Sequence, residues 1–257
     1  MGSIEWNLRA WDNPDSWIRR GDGWTFHARS CRQPYANWKA SVVKTFLDPF
    51  LSADIRVLEI APGHGRWTEF MIGRSKKLTV VDLCPSCIEM CRKRFEPQNP
   101  EIDFICNDGR SLPVPSESVD LVWSFAAFVH IEPDDIRTYL KDMTRVLAPG
   151  GRFVIHHPGW PNWTLIRALN RLPSERGRDL MRMLAEGTWH DRGQRTAMSA
   201  ELFRSLAADE GLVVDQQLRT WGDDSQYGLA FKDVISIGTR PPSLGVLPIG
   251  EQASAAR

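Results

Sequence analysis

Residues 57–68, VLEIAPGHGRWT, join an apolar run to a glycine turn, and few folds accommodate that junction. Val57, Leu58 and Ile60 have the composition of a strand covered on both faces. Gly63 and Gly65 follow, giving positions without a Cβ where main chain can lie close to a ligand. A helical pattern comes next. Strand, glycine turn and helix in that order suit an α/β domain where a nucleoside-bearing cofactor could lie close to the main chain.

The third position of the glycine fingerprint separates two such cofactors. A dinucleotide-binding turn reads G-x-G-x-x-G and sets pyrophosphate on the helix N-terminus. Counting on from Gly63 and Gly65, the third glycine would stand at Thr68. Glu59 precedes Gly63, and a carboxylate there repels pyrophosphate but can pair with an ammonium group. A cationic, amino-acid-bearing ligand is favoured over a nicotinamide one. Glu59, Gly63 and Gly65 form E-x-x-x-G-x-G, and in this the chain resembles the class I S-adenosylmethionine-dependent methyltransferases. The resemblance implies a doubly wound, seven-stranded, mostly parallel sheet of Rossmann-like kind, with S-adenosyl-L-methionine as cofactor.

The following segments agree. Residues 77–83, KLTVVDL, read as a second buried strand ending in Asp82, near the ~20-residue offset from the turn at which a carboxylate takes ribose hydroxyls. Asp82 is the expected ribose ligand. A third strand over 102–107 leads into Asn107, Asp108 and Gly109 at the carboxyl edge of the sheet, and the resemblance gives Asp108 to the adenine amino group. A lone Asp in such a place is more often a turn or cap residue, but three acids at successive strand ends form a pattern. His64, Trp67 and Thr68 of the turn, Leu83 after the second strand, and Ser124 and Phe125 closing the fourth complete the expected cofactor set.

Residues 111–118 read as a loop and 119–125 as the fourth strand. Over 134–147, Ile136, Tyr139, Leu140, Met143, Val146 and Leu147 share one helical face, and Pro149-Gly150-Gly151 ends the helix. The fifth strand spans 152–157, making five βα units in series. Residues 158–195 break that rhythm and read as a cap insertion after strand five. Ser199 caps a helix over 199–210 that Gly211 ends, and 212–221 and 230–239 form a closing antiparallel pair. The expected organisation is a tryptophan-rich N-terminal helical extension or lid over 1–54, a methyltransferase domain over 55–240, and a flexible tail over 241–257.

Thirty-two Lys and Arg balance thirty-two Asp and Glu, so no global field draws the chain to nucleic acid or to an anionic membrane. No apolar run approaches the ~20 residues needed to span a bilayer, and the start lacks the apolar core of a secretory signal, which points to the cytoplasm. Five cysteines suit a reducing compartment. Cys84, Cys87 and Cys91 lack a second C-x-x-C pair, and read as packed thiols, not as a metal or redox centre. No metal ligand is assigned; no carboxylate cluster is distinctive enough to settle a need for a divalent ion. Of eleven tryptophans, Trp6, Trp11, Trp17, Trp24 and Trp38 precede the first strand. They suit either a flap over a ligand or an anchor to the domain or to a second subunit, which leaves a homodimer open.

Methyl transfer needs an acceptor held in line with the sulfonium carbon, and a hydroxyl acceptor needs a base. Histidine, with pKa ~6.5, is suited to that task at neutral pH. His130 follows the fourth strand, and His156 and His157 close the fifth. Adjacent strand residues face opposite ways, so only one of that pair can enter the cleft. The set L-E-I-A-P-G-x-G-R-W-T, V-D-L-x-x-x-C-I, N-D-G, V-H-x-E and H-H resembles a subgroup that includes sugar O-methyltransferases. Where that subgroup has an acid in S-F-D-S-L-V-H, this chain has Ala126, which moves the expected base role to His130, His156 and His157. The resulting expectation is O-methylation of a sugar or glycosylated small molecule. The alternatives are a nitrogen or other non-sugar small-molecule acceptor, and a cofactor-binding protein without turnover.

Overall fold

A computed structural model describes residues 3–15, 17, 25–99, 101–160 and 195–242. Most of the expected cap insertion, most of the expected tail, and Trp24 lie outside the described residues. One sheet organises the chain. Its strands are β1 (Arg56–Ile60), β2 (Lys77–Asp82), β3 (Asp103–Cys106), β4 (Val119–Ser124), β5 (Leu147–Pro158), β6 (Val213–Leu218) and β9 (Asp233–Thr239), in the order β3-β2-β1-β4-β5-β9-β6. Strands β1 to β5 pair in parallel, whereas β9 runs antiparallel to both β5 and β6. The expected closing strand over 212–221 breaks at Arg219, and its end pairs as β7 (Thr220–Trp221) with β8 (Tyr227–Gly228).

The period-two alternation of the strands feeds two cores. Val57, Val80, Leu121, Trp123 and Val154 pack on one face of the sheet; Leu58, Val81, Val122, Phe153 and Ile155 pack on the other. The second face is covered by α5 (Pro133–Val146), through Ile136, Tyr139, Leu140 and Met143, and by α6 (Ala200–Asp209), through Phe203 and Ala207. Ser199 caps α6 by accepting from the Leu202 amide at 3.0 Å. The first face takes Phe95 of α4 (Pro85–Phe95) and, from the N-terminal segment, Trp38 of α3 (Tyr35–Val42) and Phe46 of the π turn that continues it. A short helix α2 (Phe26–Ser30) precedes α3, and α1 (Ile4–Trp11) opens the described chain.

Two expected features differ. Five regular βα units do not form: β1 and β2 are joined by turns with a 3-10 segment, Thr68–Phe70, and 107–118 is a loop. Gly63, Gly65 and Gly73 all take positive φ between β1 and β2, which breaks the run a helix would need. The Pro149-Gly150-Gly151 stretch lies inside β5 and does not end α5 in a turn. There the strand bulges against β4, and Gly150 and Gly151 exchange backbone hydrogen bonds with Arg240. Among the described residues no helix is long and apolar enough to cross a membrane.

Candidate active site

The carboxyl ends of β1, β2 and β4 converge on the glycine turn. Gly63 has φ +58° and Gly65 +80°. A Cβ at Gly65 would stand 2.1 Å from the Phe95 ring, and one at Gly63 2.7 Å from Trp17, so both contacts require glycine. Asp82, at the end of β2, accepts from the Gly63 amide at 3.2 Å and from the Cys84 amide at 2.8 Å. Burial pushes its pKa up to about 6, against the pull of those two N–H donors.

Beside this turn lies a cavity of about 420 Å³. Its base is formed by Gly63, His64, Asp82 and Leu83, its wall by Gly109, Phe125, His130 and Tyr139, and Trp67 also reaches it. Ile4, Asn7, Trp11 and Trp17 close it from the N-terminal side. Trp17 stacks on His64 with ring centroids 4.8 Å apart, and its Nε1 donates to the Trp11 carbonyl at 2.8 Å. Asn7 Nδ2 donates to the His130 carbonyl at 3.0 Å. The expected flap thus divides: Trp11 and Trp17 face the cavity, whereas Trp38 is wholly buried and donates its Nε1–H to the Gly228 carbonyl at 2.9 Å.

Several expected cofactor residues support this cavity without lining it. Glu59, 1% exposed, accepts from Thr68 Oγ1 at 2.5 Å beneath the turn, where burial raises its pKa to about 8. Its carboxyl braces the turn and does not present itself to an ammonium group. Thr68 in the third glycine position is therefore a partner for Glu59. Gly65 lies outside the lining, its place fixed by Phe95. Asp108 accepts from the Arg110 and Ser111 amides, at 2.9 and 2.7 Å, in an Asx-type turn that holds its carboxyl below the usual range. Asp108 thus stands outside the cavity lining, with Oδ1 engaged in this turn. Asn107 donates to Tyr139 Oη at 3.0 Å and accepts from the Gly109 amide, and Ser124 donates to the Ile60 carbonyl at 2.8 Å.

The three candidate histidines separate. His130 lines the cavity with its ring 5.0 Å from Trp11 and 6.2 Å from Trp6. His156 and His157 point to opposite faces, as strand parity requires. His157 faces away from the cavity, stacked on Phe203 at 4.0 Å with Nε2 2.7 Å from Ser236 Oγ, and burial pulls its pKa down to about 3. It is a packed core group, which removes it as a candidate base. His156 lies behind Phe125, stacked at 4.4 Å and 10°, outside the lining.

Sequence reasoning missed Ile4 and Asn7 of α1, Arg66 and Glu69 beside the turn, and Asp135 and Tyr139 of α5. The last two lie one helical turn apart on one face of α5, a spacing that could have marked them.

An open α/β sheet with an acid at the end of β2, a glycine turn after β1 and an antiparallel last strand is the Rossmann-like architecture of the class I methyltransferase fold. Residues 57–151 match the family model described as a methyltransferase domain. The phthiotriol/phenolphthiotriol dimycocerosates methyltransferase of Mycobacterium tuberculosis is 35% identical over 100 residues, 38% of this chain and 36% of that protein. A malonyl-[acyl-carrier protein] O-methyltransferase of Halorhodospira halophila is 35% identical over 107 residues, 41% of this chain and 35% of its own length. The chain thus spans about a third of the length of these curated relatives. The crystal structure of the N-methyltransferase NodS from Bradyrhizobium japonicum, in complex with S-adenosyl-L-homocysteine, shares the fold. Its TM-score is 0.58 at 19% identity, covering 93% of this chain and 98% of that one.

Proposed function

We propose that the protein is an S-adenosylmethionine-dependent O-methyltransferase whose acceptor is a hydroxyl of a sugar or of a glycosylated small molecule. The observation that carries the reading is the place of His130, an imidazole in the wall of the cofactor cavity with the Trp11 ring beside it. The cavity suits the cofactor by its own features: the positive-φ turn at Gly63 and the buried side chain of Asp82 both border it.

In this reading Asp82 takes the ribose hydroxyls, the backbone at Gly63 lies against the cofactor, and Leu83, Gly109 and Phe125 pack on the nucleoside. Bound S-adenosylmethionine supplies an electrophilic methyl group on a sulfonium. Trp11 and Trp17 exclude water and offer flat faces that suit the C–H surface of a sugar. His130 would take the acceptor hydroxyl proton on a ring nitrogen and hand it to solvent after product leaves. Positioning supplies the rest, since effective molarities of ~10⁵ to 10⁸ M follow from holding two reactants in line.

Release of S-adenosylhomocysteine is the test, with sugars and glycosides set against amines and quinols of similar size. Turnover is expected with a glycoside, and His130→Ala is expected to lower it by about 10² to 10⁴. Turnover confined to amines, or a His130→Ala variant as fast as the parent, would count against the reading.

A further inference from the structure

A buried cluster behind the cavity wall has no part in the chemistry above. His156 is 1% exposed and Asp233 is fully buried, with His156 Nε2 3.3 Å from Asp233 Oδ2. Arg195 forms an ion pair with the other oxygen of Asp233. His27 completes the group, with potential ligand atoms of His27, His156 and Asp233 within 4.8 Å of one another. Such a set invites a metal, but the hydrogen bonds argue otherwise. His156 Nδ1 accepts from the Ala126 amide at 3.1 Å, and His27 Nδ1 accepts from the Ala230 amide at 2.9 Å. An imidazole that accepts at Nδ1 carries its hydrogen at Nε2, so neither ring keeps a lone pair for a cation.

The same bonds give His156 a different task. Ala126, which stands in the cavity wall between Phe125 and Ala127, has φ +67°, a conformation that a residue with a Cβ rarely adopts. Its amide is held by His156 Nδ1, and the ring that holds it is stacked on Phe125. Asp233, itself held by Arg195, brings Oδ2 to 3.3 Å from Nε2 outside hydrogen-bond geometry, so its charge, without a hydrogen bond, favours the tautomer with an open lone pair on Nδ1. We infer that His156 is a positioning residue whose Nδ1 holds Ala126 left-handed and so sets Phe125 and Ala127 against the cofactor, with Asp233 fixing its tautomer.

The inference rests on the proposed use of this cavity for S-adenosylmethionine, and the test keeps the two apart. Calorimetry of the full chain with S-adenosylhomocysteine would compare the parent with His156→Phe, which keeps the ring stack but offers no acceptor. Affinity is expected to fall about tenfold when the wall residue is released, and Ala126→Gly in the same chain is expected to restore it, since glycine takes positive φ freely. His156→Asn, with Oδ1 near the former Nδ1, is expected to bind within about threefold of the parent and to keep the pH profile of turnover. His156→Phe binding as tightly as the parent would overturn the inference. So would a loss that Ala126→Gly leaves unrepaired. If His156→Phe does not fold, His156→Asn decides in its place: because it keeps an acceptor, retained affinity or a loss that Ala126→Gly repairs supports the inference, and an unrepaired loss overturns it. A parent protein that does not bind S-adenosylhomocysteine would instead refute the cofactor assignment.

Discussion

At Asp82 one side chain serves two purposes. Its carboxylate accepts from the amides of Gly63 and Cys84, which shapes the turn, and it borders the cavity where ribose hydroxyls are proposed to bind. An amide has one accepting oxygen, and its NH₂ would face an N–H donor at the other position. Asp82→Asn is therefore expected to weaken S-adenosylhomocysteine by about 2 kcal/mol, some thirtyfold, the scale of a hydrogen bond to a charged group. Titration calorimetry reads this directly, and an affinity unchanged from the parent would remove Asp82 from the ribose role. Asp82 was legible because its distance from the glycine turn reports the length of one crossover and one strand. Asp108 was legible as a strand-end acid but not in its orientation. The serine three positions on, Ser111, offers both its amide and its hydroxyl, and this local competitor turns the carboxylate into a cap. Glu59 likewise stood at the expected place, yet the direction of its side chain follows from Thr68, whose hydroxyl only the folded turn brings beneath it.

At the scale of elements, β1, β2 and β4 were readable because a strand covered on both faces is mostly apolar. The crossovers were not, because a 3-10 turn between positive-φ glycines and a proline-rich loop leave no periodic signature. The start of β5 was hidden for another reason: Gly150 finds its partner in Arg240, a pairing far along the chain. The N-terminal helix shows what such distance does to function. α1 has eight residues, below the length at which an isolated helix holds in water, so its order depends on docking. It docks through Asn7 on the His130 carbonyl, while Asp12 just beyond it accepts from the Ser86 amide at 2.9 Å. Trp11 and Trp17 continue the contact over the cavity. A ligand that fills the cavity would touch Ile4, Asn7 and Trp11 and so stabilise the docked position of α1. Amide hydrogens of residues 4–11 are expected to exchange readily in the protein alone and to gain protection with S-adenosylhomocysteine, whereas those of β4 change little. Trp17→Ala, which removes the stack on His64, is expected to speed ligand dissociation about tenfold. Equal protection of residues 4–11 with and without ligand would mean that α1 is a fixed part of the wall.

The balance of acids and bases conceals, at the scale of the whole molecule, a buried set that responds to pH in two directions. Burial raises Glu59 from 4.5 to about 8 and Asp82 from 3.8 to about 6, so the folded protein keeps protons that the unfolded chain has released. Groups of that kind stabilise most below their unfolded pKa, and the stability is lost as pH climbs toward the folded value. His157, pulled from 6.5 to about 3, and His27, lowered well below its usual value by burial and by His156, work the other way. The unfolded chain takes up those protons below pH 6.5, and the folded chain refuses them. Between about pH 4.5 and 6 two carboxyls and two imidazoles oppose each other and largely cancel. From pH 6.5 to 8 Glu59 alone of the four still changes the balance, at about 1.4 kcal/mol per pH unit. The ligand-free protein is therefore expected to lose about 2 kcal/mol over that span, or about 4 to 8 °C in Tm for a chain of this size. Glu59→Gln keeps an acceptor for the Thr68 hydroxyl but does not titrate, so its Tm is expected to stay level from pH 6.5 to 8 while the parent's falls. Parallel curves for parent and variant would show that Glu59 is already ionised in the folded state, and that the brace beneath the glycine turn is a charged one.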